Sequence, residues 1–188
     1  MSSLHLNPFE AGSRRIIPAV LIYVIHEGRV LMMNRVTRGA GADYHHGKWN
    51  GLGGKLELNE SPIQGAMREL KEEANLSLPQ TAFRCLGTVQ FPNFKAARDE
   101  DWMVFVFRAE LGSDLPPEAL LDLISQIPDS PRAGDEGELH WIEAADVLGL
   151  NLWAGDILFM PLVLKGRPFH GTIWYEGEAV RDYWIQPL

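Results

Sequence analysis

Three glutamates, Glu69, Glu72 and Glu73, are spaced so that their carboxylates share one face of a helix. Like charges at this spacing repel each other by about 0.2–0.5 kcal/mol per pair. They also fall in the second half of the predicted helix, where the helix macrodipole disfavours anions. A solvated acidic face, partly compensated by Arg68 and Lys71, is the simpler interpretation of the three acids alone. The alternative is a site for a divalent cation, because a cation would relieve the repulsion.

The helix that carries these acids is predicted over residues 62–74. Ser61 is a suitable N-cap, Pro62 suits the first helical position, and Gln64 completes a capping box. Asn75 follows at a position that favours left-handed backbone dihedrals, which asparagine tolerates. One face is apolar at helical spacing: Ile63, Ala66, Met67, Leu70 and Ala74.

The segment 54–76 matches a known motif, the Nudix box. That motif is a glycine, five residues, a glutamate, seven residues, and then Arg-Glu-apolar-any-Glu-Glu-any-Gly-apolar. This chain supplies Gly54, Glu60, Arg68, Glu69, Leu70, Glu72, Glu73 and Leu76. Only Asn75 departs from the pattern, in place of the late glycine. Eight matches at fixed spacing arise by chance on the order of 10⁻⁸ per start position. The chain therefore resembles the Nudix hydrolases.

The resemblance implies a metal-dependent hydrolase of phosphoanhydride bonds. Glu72 and Glu73 would bind Mg²⁺ directly, with Mn²⁺ as an alternative, and the carbonyl of Gly54 would join them. Glu69 would be a further ligand or the base that orients the attacking water. The implied reaction is in-line attack of a metal-activated water on phosphorus, in which the cation neutralises the leaving diphosphate.

Two further roles follow from the same resemblance. Arg68 would hold Glu60 and orient the acidic face. Members of the family often add a later acid from a loop beside the sheet, and Glu136 lies in the corresponding region, with Asp135 as its rival.

Residues outside the box resemble the MutT-related branch that hydrolyses oxidised purine nucleoside triphosphates. In that branch the asparagine that matches Asn50 hydrogen-bonds the base, and Trp153 and Asp156 lie in a similar C-terminal segment. Trp153 and Tyr44 would offer stacking faces, and the polar groups of Asn50 and Asp156 would read a base edge. The alternative for Trp153, and the simpler interpretation for Phe159, is an ordinary core position.

Four basic residues are candidate phosphate contacts, although a solvated surface charge is the simpler interpretation of each: Arg35, Arg38, Lys48 and Lys55. One departure bears on the substrate. The related enzymes have two adjacent aspartates where this chain has Gly155 and Asp156. Paired carboxylates share a proton and donate to an oxidised purine, and a single aspartate is less suited to this.

The element pattern predicts one domain over residues 1–188, in the α/β class, with a mixed β-sheet sandwiched between helices as in the Nudix fold. Prolines and a short helical pattern predict a surface insertion at about 112–134. Beyond the 62–74 helix, strands are predicted at 16–25, 29–34, 83–91, 102–111, 139–142, 169–174 and 182–185, and helices at 144–148 and 156–165.

Bulk composition limits the class of partner. The chain has 188 residues, a net charge of −8 and one cysteine, Cys85. An acidic surface is unsuited to a nucleic acid polymer, and no stretch reaches the roughly 18 apolar residues that span a membrane. A lone cysteine excludes an internal disulfide and fits a cytoplasmic protein; its apolar surroundings predict that it is buried. We expect a monomer or homodimer.

The predicted function is a Mg²⁺-dependent nucleoside triphosphate pyrophosphohydrolase that releases a nucleoside monophosphate and pyrophosphate. Oxidised purine (d)NTPs such as 8-oxo-dGTP are a candidate class, which would make the protein a sanitiser of the nucleotide pool. The alternatives are hydrolysis of another nucleoside diphosphate derivative (a nucleotide sugar, ADP-ribose or a dinucleoside polyphosphate) and a non-catalytic nucleotide-binding module.

Overall fold

The computed structural model describes residues 15–35, 47–95, 99–112, 132–133 and 137–188. The helices are α1 (Pro62–Ala74) and α2 (Ala154–Leu164), with single 3-10 turns at Gln80–Ala82 and Val147–Gly149. The strands are β1 (Arg15–His26), β2 (Arg29–Asn34), β3 (Trp49–Asn50), β4 (Phe83–Lys95), β5 (Glu100–Glu110), β6 (Arg132–Ala133), β7 (Glu138–Glu143), β8 (Phe169–Glu176) and β9 (Ala179–Pro187).

The strands form one mixed sheet in the order β6-β7-β2-β1-β5-β4-β8-β9, and the short β3 pairs with β2. β1 pairs antiparallel with β2 and parallel with β5, and β4 pairs parallel with β8. The parallel contacts join strands that are distant in sequence, which brings the C-terminal β8 beside β4. The predicted mixed sheet of the α/β class is confirmed.

Both faces of the sheet are covered, one by each helix. Side chains of β1 alternate between the faces, as a strand requires. Val20, Ile22 and Val24 pack in the cluster that contains Leu70 of α1. Ala19 and Tyr23 pack in the second cluster, which contains Phe159, Met160 and Val163 of α2. The central strand is therefore buried on both faces, and α1 is held firmly against one of them.

The predicted helix 62–74 is confirmed to the residue, with both hydrogen bonds of the Ser61–Gln64 capping box. Asn75 adopts the left-handed conformation at φ 57°, and its N–H donates to carbonyls of the last turn. An asparagine thus fulfils the backbone role of the family's glycine.

Some predictions differ from the structure or fall outside the described residues. The helix predicted at 144–148 is a single 3-10 turn that begins three residues later, at Val147. Cys85 is exposed on β4, so the prediction of burial was wrong. The insertion at 112–134 lies outside the described residues, apart from Gly112 and the two residues of β6, which pair with β7. No helix in the described part of the chain is long and apolar enough to cross a membrane.

Candidate active site

A glycine turn that precedes α1 lies directly against β1. The N–H of Val20 donates to the carbonyl of Gly54 at 2.8 Å. Gly53 has a φ of 140°, and a Cβ there would overlap the carbonyl oxygen of Val20. Only glycine allows the backbone to approach β1 this closely. The turn is consequently fixed in position relative to the centre of the sheet.

The acidic face of α1 packs against the same turn. The N–H of Gly53 donates to Glu73 Oε2 at 2.7 Å. A Cβ on Gly54 would overlap the carboxylate of Glu69. Two of the three glutamates thus lie against the turn that carries the predicted carbonyl ligand. The sequence alone does not predict this contact between the turn and the glutamates, because it forms only when α1 packs on β1.

Arg68 connects the acids to one another. Its Nε and Nη2 donate to the two carboxylate oxygens of Glu60 at 2.9 and 3.0 Å. Nη1 donates to Glu69 Oε1 and to Glu72 Oε2, each at 2.9 Å, and Nη2 also donates to the carbonyl of Lys55 at 3.0 Å. All five N–H groups of the guanidinium therefore have acceptors. This network compensates the repulsion among the glutamates.

The same network shifts the ionisation of both partners. The hydrogen bonds from Arg68 lower the pKa of Glu60, and the hydrogen bond to Glu60 raises the pKa of Arg68. Glu60 is therefore ionised and Arg68 charged across the physiological range. Glu60 also accepts a hydrogen bond from the N–H of Glu57 at 2.9 Å, which closes the loop before α1.

The donor set suits a hard divalent cation. Three carboxylates and the Gly54 carbonyl offer oxygen ligands, and Gly54 presents no side chain that would fill the space beside Glu69. Within the described ranges no three aspartate, glutamate, histidine or cysteine side chains lie close enough together to hold a metal ion by themselves. Arg68 spans Glu69 and Glu72, and Glu73 bonds the turn. Such an open arrangement fits a cation that completes its coordination with water and substrate phosphates.

A cavity of about 600 Å³ opens beside this face. Seven of the predicted site residues line it along with Arg68: Gly54, Glu69, Lys55, Arg35, Asn50, Trp153 and Asp156. Glu60, Glu72 and Glu73 do not line the cavity. Glu60 and Glu72 bond Arg68, and Glu73 bonds the glycine turn, and these partners do line it. Tyr44 and Glu136, with the weaker candidates Arg38 and Asp135, lie outside the described residues.

A second part of the cavity lining, called here the α2 end, comes from α2 and β3. Asp156 is buried, and loss of solvation raises the pKa of its carboxyl to about 7. Burial and the neighbouring Asp156 carboxylate together raise the pKa of the Tyr23 phenol. Among the residues that the structure describes, Asn50 Oδ1 is a buried acceptor with no hydrogen-bond partner. This end thus holds polar groups in a poorly solvated setting, where a hydrogen bond to a ligand gains the most.

Aromatic side chains also line the cavity, and the sequence reasoning missed them. Phe91, Phe94, Trp102 and Tyr175 line the cavity. Phe94 contacts Trp102 edge-on at 5.5 Å between ring centroids and Tyr175 at 5.9 Å. Lys55 Nζ lies 5.5 Å from the centroid of Trp102. The alternation of side chains in β4 and β5 predicts two strands, but it does not indicate which face of those strands lines a cavity.

Several candidates have structural roles. Lys48, proposed as a phosphate contact, donates to Asn151 Oδ1 at 3.1 Å, lies 5.2 Å above the ring of Trp153, and is outside the cavity lining. Phe159 is a core residue as expected, stacked on Phe169, and it also reaches the cavity. His170 is exposed, with its Nδ1 3.1 Å from Thr88 Oγ1.

Comparison with known proteins identifies the family of the chain. The NUDIX domain family model matches residues 15–163. An oxidized purine nucleoside triphosphate hydrolase of Danio rerio is 32% identical over 160 residues, which is 85% of this chain and 87% of the relative. The protein of the same name from Mus musculus is 27% identical over 84% of this chain and 86% of the relative.

Solved structures share the fold. A MutT protein from Bacillus halodurans superposes with a TM-score of 0.69 at 23% identity, over 90% of this chain and 97% of that one. A MutT protein from Methanosarcina mazei Go1 gives 0.57 at 21% identity, over 81% and 96%. With the family model and the acidic face of α1, these matches show that the chain belongs to the Nudix family, hydrolases of phosphoanhydride bonds in nucleotides that generally use divalent metal cations.

Proposed function

We propose that the protein is a Mg²⁺-dependent nucleoside triphosphate pyrophosphohydrolase that releases a nucleoside monophosphate and pyrophosphate. Oxidised purine (d)NTPs such as 8-oxo-dGTP are the candidate preferred class. The names of the Danio rerio and Mus musculus relatives support this substrate class.

One observation carries the proposal. A single cavity is lined both by Glu69 and Arg68 of α1 and by Asn50, Trp153 and Asp156. The first group suits a cation and phosphates, and the second suits a planar base with hydrogen-bonding edges. A nucleoside triphosphate has these two parts at opposite ends of one molecule. Its phosphates would lie at α1 and its base at α2.

The residues of α1 would act as follows. Glu69, Glu72, Glu73 and the Gly54 carbonyl would hold Mg²⁺, which when bound neutralises phosphate charge and lowers the pKa of a bound water. Glu69 lines the cavity whereas Glu72 and Glu73 do not, which favours Glu69 as the group that orients the attacking water. The water oxygen would bond to the α-phosphorus while its proton passes to Glu69, the anhydride P–O bond would break, and pyrophosphate would leave with the electron pair. Glu136 stays a candidate for a further ligand.

A substrate panel tests the proposal. The protein would be incubated with dGTP, 8-oxo-dGTP, dATP, dCTP, ADP-ribose, a nucleotide sugar and a dinucleoside polyphosphate, with Mg²⁺, Mn²⁺ or EDTA, and the products separated by anion exchange. We expect nucleoside monophosphate and pyrophosphate from purine triphosphates, and no turnover in EDTA. Faster turnover of ADP-ribose than of any triphosphate would overturn the substrate class, and binding without turnover would indicate a non-catalytic module.

Glu73→Gln tests the site itself. The amide would keep the shape of the side chain but lose the charge that binds the cation, so we expect turnover to fall by about 10²-fold or more with the fold preserved. Glu178→Gln, at an exposed residue of the β8–β9 turn, is the matched control and should leave turnover unchanged. Undiminished hydrolysis by Glu73→Gln would show that the metal site lies elsewhere.

A further inference from the structure

Tyr175 of β8 and Gly155 of α2 are in direct contact, and Tyr175 lines the cavity. The N–H of Gly155 donates to the Tyr175 hydroxyl at 2.7 Å. A Cβ on Gly155 would overlap that hydroxyl and would lie 3.3 Å from Ile173 Cδ1. Any residue other than glycine at 155 would therefore push the tyrosine away. The hydroxyl occupies the space that a side chain of residue 155 would fill.

The hydroxyl also completes the start of α2. The first N–H groups of a helix have no partner inside the helix. In α2 the side chain of the N-cap residue, Trp153, does not accept a hydrogen bond from them. Tyr175 supplies the acceptor for one of these groups from the neighbouring strand. Its oxygen is thereby held in one position, next to the residue that precedes Asp156.

The same tyrosine lines the cavity. Tyr175 and Asp156 both line it, and the ring of Tyr175 packs on Phe94 at 5.9 Å and on Phe91 at 6.2 Å between centroids. Gly155 stands where the resemblance implied a second carboxylate, and its N–H bonds the phenol of Tyr175. A phenol is neutral at physiological pH and both accepts and donates hydrogen bonds, whereas a second carboxylate would add charge.

We propose that Tyr175, matched to Gly155, is a specificity-determining residue that selects among purine bases; this inference rests on the proposed function. The Tyr175 hydroxyl limits the depth of the base site and places a neutral hydrogen-bonding group beside the single carboxyl of Asp156. The preferred purine is the one whose edge matches a carboxyl and a hydroxyl together.

The test compares Tyr175→Phe with the wild type on 8-oxo-dGTP, dGTP, dATP and dCTP. Loss of the hydroxyl should raise KM for the preferred purine by about 5-fold or more, with smaller changes in kcat and in the other substrates, so that selectivity falls. Tyr183→Phe, at an exposed tyrosine of β9, removes a hydroxyl outside the cavity and should leave all four substrates unchanged.

A purely structural role predicts a different result. If Tyr175 only caps α2, Tyr175→Phe would lower the melting temperature and change all substrates in parallel, and this would overturn the inference. Absence of triphosphate hydrolysis by the wild type would instead overturn the proposed function, and this inference with it.

A pair of variants tests the steric match independently of the hydrogen bond. Gly155→Ala should lower the melting temperature, because the added methyl group displaces the hydroxyl. Gly155→Ala combined with Tyr175→Phe should recover most of that loss and keep the reduced selectivity of Tyr175→Phe. A double variant no more stable than Gly155→Ala would contradict the match between the two residues.

Discussion

Arg68 and Glu60 form a bidentate ion pair, in which Nε donates to Oε1 at 2.9 Å and Nη2 donates to Oε2 at 3.0 Å. Two parallel hydrogen bonds fix the plane of the guanidinium as well as its position. Nη1 is thereby directed at Glu69 and Glu72. Glu60 does not line the cavity, so it is a positioning residue that acts through Arg68.

Glu60→Gln should reduce both stability and turnover. The amide nitrogen of the glutamine would face a donor of Arg68, so one of the two hydrogen bonds is lost with the charge. We expect the free energy of unfolding to fall by about 1–2 kcal/mol, since the pair stays partly exposed to solvent. Turnover should fall because Nη1 no longer holds Glu69. Denaturant unfolding and steady-state kinetics measure the two effects.

The pH dependence of this stability loss checks its cause. Arg68 lowers the pKa of Glu60 below its ordinary value of 4.5, so the pair stabilises the fold above about pH 4.5. That contribution is lost as the pH falls from 4.5 through the lower pKa of the folded state. The difference between wild type and Glu60→Gln should therefore shrink in acid, and a difference that grows in acid would refute the ion pair as its source.

Gly54→Ala should weaken metal binding. The added Cβ would overlap the carboxylate of Glu69 and push it from the face of α1. Displacement of a ligand or of its support typically costs 10–100-fold in metal affinity, so we expect a loss of about 10-fold or more in Mg²⁺ affinity by calorimetry with nucleotide present. Gly149→Ala is the control, because its Cβ meets nothing within 4 Å. Equal affinities in the two variants would place the cation away from Gly54.

The local features of the site were predictable from the sequence. The bounds of α1, its capping box and the left-handed Asn75 all depend on residues within a few positions of each other. The acidic face follows from helical spacing alone. The family resemblance predicted that Arg68 binds Glu60, and the structure adds the bidentate geometry of the pair.

The base end of the site was less predictable, because it depends on tertiary contacts. Tyr175 meets Gly155 only because β8 lies parallel to β4 and α2 packs on the adjoining face. Trp102 and Phe94 enter the cavity from β5 and β4, whose alternation predicts strands without indicating which face is open. Burial of Asp156, which raises its pKa, likewise results from packing that no local pattern encodes.

Asn50→Ala should weaken binding of purine triphosphates. Asn50 Oδ1 is buried at the cavity and has no hydrogen-bond partner in the described part of the chain, so a base N–H that bonds it would recover the cost of its lost solvation. We expect KM for purine substrates to rise by about 10-fold and Mg²⁺ affinity to stay constant, since Asn50 is not among the proposed metal ligands. An equal loss for purine and pyrimidine triphosphates would argue against a role in reading the base.

Asp156→Asn should change how stability depends on pH. Burial raises the pKa of Asp156 from 3.8 to about 7, so the folded protein binds its proton more tightly than the unfolded chain does. The resulting stabilisation of the wild type is full below about pH 4, declines as the pH rises, and is gone above about pH 7. Because asparagine has no ionisable group, the stability of Asp156→Asn does not show this decline. Melting temperatures should therefore favour Asp156→Asn increasingly between about pH 5 and 7, and then by a constant margin, whereas a margin independent of pH would mean that the carboxyl is solvated.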